Sequence, residues 1–496
     1  MLNAIVFLPL LAGLALAVLP RRAPDAVFRW AWIGIAAADL GLVIVAWVGS
    51  DFGGGFGYQT NLRWIPSAGV GYHVGVDGLS LPLIALTSFL FLACAIYSLH
   101  ETRRVRAYVV LFLFLETVCL GLFAALDLIL FFVFFDLAIV GMYFVIAGWG
   151  HGNASRSALK FFLYTFVGSL ALLLGFIGLY LAAKPHTFDM VVLIRQMPLA
   201  GRGLYGGLVL LALALGLAIK TPTVPFHTWL PPAHTDAPPA GSAILAGVML
   251  KMGTYGFVRI AMPMLPDTWR RYALVFVIVG VISVVYGALV ALAQTNFKRM
   301  VAYTSVNHMG YVILAVGTAG ILAGSDVQAR QLAVTGAVTQ MVSHGLITGA
   351  LFLLSGVLYE RGRSYEMDDY GGLAARTPAF AGLTAVAAFA SLGLPGFSGF
   401  IAEFQIFTGS LAPQSAATAI AFLGILITAA LFLWALQRIF LGRPRAFASP
   451  LRDVTASEAF AIVPLLLLVV AIGVFPRFLL DLIEPASRTL VQLVAR

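Results

Sequence analysis

Apolar runs of about 20 residues recur along the whole chain, and that constrains its fold more than any motif. A bilayer core of roughly 30 Å offers no water to backbone N–H and C=O groups, and a helix of about 20 residues crosses it with those groups satisfied internally. Fourteen such segments are expected, at 2–20, 27–48, 79–98, 107–125, 127–148, 159–182, 207–231, 241–262, 272–294, 300–322, 333–357, 378–408, 416–440 and 458–480. Sixty-one per cent of the 496 residues are hydrophobic and 10% are charged, with a mean hydropathy of +0.98. No stretch of soluble-domain composition interrupts the runs, so the chain reads as one all-α polytopic membrane domain, 1–496.

The first run has neither a basic start nor a small-residue cleavage site before Arg21-Arg22, and it reads as a retained helix that also targets the chain. The long connection at 51–78 is rich in glycine and aromatics, is too polar to cross, and is expected to form a short hairpin cap. Basic residues concentrate in alternate loops, at Arg21-Arg22, Arg103/Arg104/Arg106, Lys298-Arg299, Arg361/Arg363 and Arg438/Arg443/Arg445. Basic loops stay on the cytoplasmic side, which puts both termini outside a bacterial cytoplasmic (inner) membrane. The net charge of +9 follows from that lipid-facing bias, and no nucleic-acid motif is present.

Cys94 and Cys119 each lie inside an apolar segment and outside any CxxC, which argues against iron–sulfur ligation and structural disulfides. The sequence contains neither a GxGxxG followed by an acidic residue nor a GxxxxGK[ST], so nucleotide binding has no local support. Whatever energy drives this protein must come from elsewhere.

Charge inside the apolar runs is the functional signal. Lys220 closes LVLLALALGLAIK, immediately before Thr221-Pro222 and Pro225. A charge at bilayer depth costs roughly 2.5–3.5 kcal/mol on insertion scales, and here it coincides with prolines that remove backbone hydrogen bonds. Broken helices carrying an ionisable group are how transporters build ion sites near the midplane. A second break, SLGLPGFSGFIAEF (391–404), holds Pro395, Gly396 and, beyond them, Glu403. Asp136 stands alone in FFVFFDLAIVGMYF and Lys251 is central in its own segment, whereas Arg259 is expected to snorkel outward. Glu116 reads equally as a relay acid or a structural hydrogen-bonding group. An acid, two lysines and another acid on separate segments can pass protonation states along a line, because each charge biases its neighbour. His227, His234, His308 and His344 lie at similar depths; alone, each is an ordinary packing residue, but beside these charges they are candidate further relay members. Haem ligation is disfavoured, since no two segments present matched histidines.

Four stretches, KTPTVPFHTWLPPAHTDAPPAGSAILAGVMLKMGTYGFVR (220–259), NFKRMVAYTSVNHMGYV (296–312), MVSHGLITGALFLLSGVLYER (341–361) and SLGLPGFSGFIAEF (391–404), closely resemble the antiporter-like subunits of respiratory complex I. The resemblance covers roughly 70–440, and GVDGLSLPLIALT (75–87) and the length are similar to the M type, equivalent to mitochondrial subunit 4. It implies two inverted five-helix repeats, each with one discontinuous helix: 1–105 for helices 1–3 and the outer loop, 106–262 for repeat 1, 272–440 for repeat 2, and 441–496 for helix 14 and the C-terminus. Pro222 and Pro225 break the first repeat; Pro395 and Gly396 break the second. By position, Asp136 matches the glutamate that pairs with the break lysine, here Lys220. Lys251 matches the central lysine, and Glu403 matches the final lysine or glutamate near the exit. Three departures stand out: Asp136 for glutamate, Gly141 for a common proline, and Pro232 for a common aspartate. The first shortens the reach to Lys220; the other two are expected to tune loop geometry.

The resemblance implies a proton-translocating subunit of a NADH:quinone oxidoreductase with no cofactor in this chain, while FMN, iron–sulfur clusters and quinone belong to partner subunits. L-type and N-type antiporter-like chains and the lipid bilayer are the expected partners. The nearest alternative is an ion-translocating subunit of a multisubunit Na⁺/H⁺ antiporter or membrane-bound hydrogenase, which share the same charged set. A passive scaffold or channel would leave four buried ionisable groups unexplained.

Overall fold

The computed structural model describes residues 1–20, 22–324, 326–443 and 452–495. Arg21 and Arg445, both part of the charge argument, lie outside the described residues. The N-terminal part runs α1 (Leu2–Val18), α2 (Asp25–Val48), β1 (Gly57–Ile65), β2 (Val70–Val76) and α3 (Leu81–Tyr97). Next come α4 (Val105–Ala124), α5 (Leu128–Trp149), α6 (Ala154–Ala182), the short α7 (Met190–Gln196), α8 (Gly203–Lys220), α9 (Leu230–Asp236) and α10 (Pro239–Met264). The remainder is α11 (Pro266–Leu292), α12 (Phe297–Ala319), α13 (Val327–Gly362), α14 (Pro378–Ser391), α15 (Ser398–Leu411), α16 (Ser415–Phe440), α17 (Ala456–Val474) and α18 (Arg477–Ala495). Among the described residues, eleven helices are long and apolar enough to cross a membrane, and α1 and α14 are shorter apolar helices.

Leu163, Val167, Leu170 and Leu174 of α6, and Val275, Ile278 and Ile282 of α11, form exposed apolar stripes at helical spacing. That is the pattern of a surface facing lipid, with polar groups turned inward. The long helix α13 has 36 residues, about 54 Å at 1.5 Å per residue. It runs through the middle of the bundle, buried from Ala333 to Leu358 and packed on α3, α10, α12, α15 and α17. A polar side chain on α13 therefore meets protein, not lipid.

The connection at 51–78 forms the expected hairpin, with β1 and β2 antiparallel and Asn61 opposite His73. It is tied down by the caps of neighbouring helices. The Asp127 carboxylate accepts the Ile129 and Leu130 N–H groups at the start of α5 (2.9 and 3.1 Å) and, through its other oxygen, the Gly71 N–H (3.0 Å). Asp189 caps α7 by accepting the Val192 N–H (3.0 Å) and meets the His73 ring at 2.7 Å.

Three expectations are corrected. Segment 14 does not run to 480, because Pro476 lacks the N–H that would continue α17; residues from Arg477 onward form α18, whose Leu479, Ile483, Ala486, Leu490 and Val494 face the bundle while Asp481 and Arg488 face outward. Arg259 does not snorkel: it is buried, with Nε donating to the Tyr255 hydroxyl (2.9 Å) and Nη2 to Asp77 (2.5 Å). Gly141 lies inside α5 rather than in a loop, where an added Cβ would sit 2.5 Å from Leu115 of α4.

Burial alone would raise the pKa of Asp189, but His73 and the Val192 N–H outweigh it and hold the carboxyl below the ordinary carboxylate value. A depressed acid stabilises the fold above its unfolded pKa and loses that contribution only as pH falls through the folded value, so the latch is intact throughout the neutral range. Amide exchange over Val70–Val76, corrected for intrinsic rates, is expected to be equally protected at pH 5 and pH 8. In Asp189→Asn it should accelerate about tenfold, the effect of losing one charged hydrogen bond; unchanged protection in that variant would remove the latch.

Candidate functional site

α8 stops at Lys220 because Pro222 and Pro225 cannot donate to the preceding turn. Trp229 Nε1 donates to Ile219 O (2.9 Å) and the Thr223 N–H to Ala218 O (3.1 Å), while Thr221 Oγ1 adds a second bond to Leu217 O (2.7 Å), which already accepts the Thr221 N–H. The Lys220 ammonium is buried and has no hydrogen-bond partner; it lies 4.9 Å from the centre of the Phe135 ring and 5.9 Å from that of Phe161. Ring faces attract a cation, and a desolvated contact of this kind is worth up to about 2 kcal/mol. Asp136 of α5 is half-buried beside Ser169 of α6, with Oδ1 buried and unpartnered. The two make no direct ion pair, yet each feels the charge of the other. The shorter acid leaves a gap that a glutamate would narrow.

α10 is irregular on both sides of Lys251, with π-helical turns at Leu245–Met249 and Phe257–Ala261. Such turns release carbonyls from the regular ladder. Lys251 Nζ donates to Ala246 O (2.5 Å), within the first of these turns, and to His344 Nδ1 of α13 (2.7 Å). The helices approach closely here because neither carries a side chain at the crossing: a Cβ on Gly345 would lie 2.7 Å from Gly247 O.

From His344 a line of polar groups continues to the second break. The His344 and His308 ring centres are 5.4 Å apart. His308 Nδ1 lies 3.6 Å from Glu403 Oε1 and 3.2 Å from Gln340 Nε2, and His308 Nε2 is 3.2 Å from Ser391 Oγ. A cavity of about 10 Å³ bordered by His308, Gln340, His344, Ser391 and Glu403 has room for one water. Gly393 (φ +78°) and Gly396 (φ +95°) carry the backbone through the break around Pro395. A side chain at Gly393 is excluded twice, by its φ and because a Cβ would fall 2.4 Å from Glu403 Oε2.

Lys251, His344, His308 and Glu403 are thus in one contiguous line, whereas Lys220 touches neither Asp136 nor that line. Glu116 is fully buried with both carboxyl oxygens unpartnered. His227 follows the break and packs edge-on against Tyr286, 5.1 Å between centres. His234 is fully buried on α9, stacked on Phe352 at 4.5 Å, both ring nitrogens unpartnered, with Lys298 and Lys251 as its charged neighbours.

Sequence reasoning passed over two buried groups. Asp39 of α2 is fully buried and accepts from Ser88 Oγ (2.7 Å), and its charge acts on Glu116. Lys298, at the start of α12, donates to Ala237 O (2.6 Å). Asp39 stands alone in IAAADLGLVIV and was detectable by the rule that singled out Asp136; Lys298 looks like a loop cation beside Arg299. Among the described residues, no group of three or more His, Cys, Asp or Glu side chains is arranged to hold a metal ion.

A polytopic helical bundle with two interrupted helices and buried lysines, histidines and carboxylates is the architecture of an ion-translocating membrane protein. The chain belongs to the NADH:quinone oxidoreductase/Mrp antiporter transmembrane family, whose profile matches residues 125–428. It is 37% identical over 496 residues to NADH-quinone oxidoreductase subunit M of Rickettsia bellii (strain RML369-C), covering 98% of this chain and 97% of that one. Its structure is similar to a chain of respiratory complex I from Thermus thermophilus solved with bound NADH (TM-score 0.89, 30% identity, all of both chains covered). It shares its fold with a chain of the Mrp complex from Dietzia sp. DQ12-45-1b (TM-score 0.85, 22% identity, covering 100% of this chain and 99% of that one).

Gly393→Ala is expected to push the Glu403 carboxylate off His308 at a cost of about 1–3 kcal/mol. Thermal unfolding of the assembled complex should shift down and its proton pumping should fall. Gly382→Ala, at a position open to space, is expected to change neither. A silent Gly393→Ala would contradict the placement of Glu403.

Proposed function

We propose that this chain is the proton-translocating membrane subunit of a NADH:quinone oxidoreductase, working through Asp136, Lys220, Lys251 and Glu403. The observation that carries this reading is the unbroken contact line Lys251–His344–His308–Glu403 through the bundle interior. Lys251 hands a proton from Nζ to His344 Nδ1; His344 releases one from Nε2 toward His308, and His308 Nδ1 delivers it to Glu403. Lys220 loads Lys251, with His234 and His227 as relays, and Asp136 sets when it does so: an ionised Asp136 holds the Lys220 ammonium, and a neutral or withdrawn one releases it. Glu116 is a further acid on this branch.

FMN, iron–sulfur clusters and quinone lie in partner subunits, and this chain carries no cofactor. L-type and N-type antiporter-like subunits flank this chain in the membrane. The chain is organised as 1–105, repeat 1 at 106–262, repeat 2 at 272–440 and 441–496, with fourteen crossings. It sits in the bacterial inner membrane, both termini outside. The whole-length identity of 37% to a subunit M favours the oxidoreductase over a Mrp-type antiporter, whose likeness at 22% identity bears on the fold alone.

In the assembled complex, reconstituted in sealed vesicles, Lys220→Met and Asp136→Asn are each expected to lose most proton uptake per NADH oxidised. Asp136→Glu should retain it, because the longer acid reaches closer to Lys220. Normal uptake by an assembled Asp136→Asn complex would exclude Asp136 from the relay.

A further inference from the structure

A groove of about 640 Å³ opens on the lipid-facing surface between α1, α4 and α5. Its walls are apolar, from Leu10 and Leu14 of α1, Val110 and Phe114 of α4, and Phe144 of α5, the last 53% exposed. Its mouth is different. Arg104 lines it, with its guanidinium 4.9 Å from the Trp149 ring centre and Nη2 donating to Gly148 O (2.6 Å), which leaves its other donors free. Arg103 is exposed beside it, and its main-chain oxygen accepts the Trp149 indole N–H (2.6 Å). Arg106, in the next turn, donates to Ala17 O of α1 and lies 5.9 Å from the Phe28 ring centre. The half-buried Tyr143 and Trp149 have the amphipathic rings that settle at headgroup depth.

A trench apolar along its length, closed at one end by arginines and an interfacial tryptophan, matches one ligand chemistry. We propose that this groove binds an anionic phospholipid, its acyl chain lying along α1, α4 and α5 and its phosphate held by Arg103 and Arg104. The charge pattern selects the occupant, because an apolar helix of another chain would gain nothing from guanidinium groups at the mouth, whereas basic pockets between membrane helices favour anionic headgroups. Arg104 is fixed before the lipid arrives, since Trp149 and Gly148 O hold its guanidinium in place, and less side-chain entropy is then lost on binding. The occupied groove would brace α5, the helix that carries Asp136, against α1. The inference rests on the chain spanning a bilayer and not on its role in proton transfer.

The test uses the assembled complex in vesicles of phosphatidylcholine doped with a phosphatidylglycerol bearing a photoreactive acyl chain. Peptides from α1, α4 and α5 should be labelled, unlabelled phosphatidylglycerol should compete, and extra phosphatidylcholine should not. Arg103→Gln, at an exposed side chain with its main-chain contact retained, should lower labelling several-fold; Arg103→Gln with Arg104→Gln should lower it by about tenfold or more. Thermal unfolding of each variant complex reports whether it remains assembled. Equal competition by phosphatidylcholine, labelling insensitive to both arginines, or no labelling because another subunit fills the groove would each overturn the proposal.

Discussion

Lys251 is an amine fully buried in the bundle interior, and it can carry a charge there only if its donors find acceptors. One acceptor is the Ala246 carbonyl, in the π-helical turn before Lys251; the other is the imidazole of His344. Both depend on the Gly247–Gly345 crossing, where a single methyl group would force α10 and α13 apart. Satisfying the cation with a neutral ring rather than a carboxylate keeps its proton transferable. A directly bound carboxylate would hold the ammonium charged, whereas the ring of His344 solvates it without adding an opposite charge.

The two helix breaks solve the same problem differently. At the first, the carbonyls of α8 are covered by Thr221 and Trp229, and Lys220 is left with aromatic faces and a distant acid. That cation is under-satisfied, and a small displacement of Asp136 changes its surroundings most. At the second, glycines at positive φ open room for the Glu403 carboxylate beside His308. The first break thus leaves its charged group loosely held, whereas the second lies at the end of a well-packed polar line.

Much of this was legible in the sequence because the bilayer is a severe filter. A lone Asp136 or Lys251 in an apolar run is visible without a fold, and so are Pro222 and Pro395, each within a few residues of an ionisable group. The hairpin at 57–76 was readable from glycines and polarity. What stayed hidden depends on tertiary partners. Arg259 looks like a snorkelling cation until Asp77, far away in sequence, is folded against it. Gly141 looks like a loop residue until α4 presses on it. The amphipathic α18 has a helical apolar period but too little hydrophobicity to register as a crossing; only its first turn, 477–480, falls within the expected segment 14. Asp39 was overlooked although it satisfies the criterion that selected Asp136.

The central claim is that protons cross through Lys251 while the redox chemistry belongs to other chains. The most direct measurement is the ratio of protons taken up to NADH oxidised in sealed vesicles containing the assembled Lys251→Met complex, alongside NADH oxidation by an artificial acceptor at the peripheral arm. The account expects that peripheral activity to be unchanged and the proton ratio to drop well below that of the unaltered complex. A full proton ratio with Lys251 neutralised would contradict it.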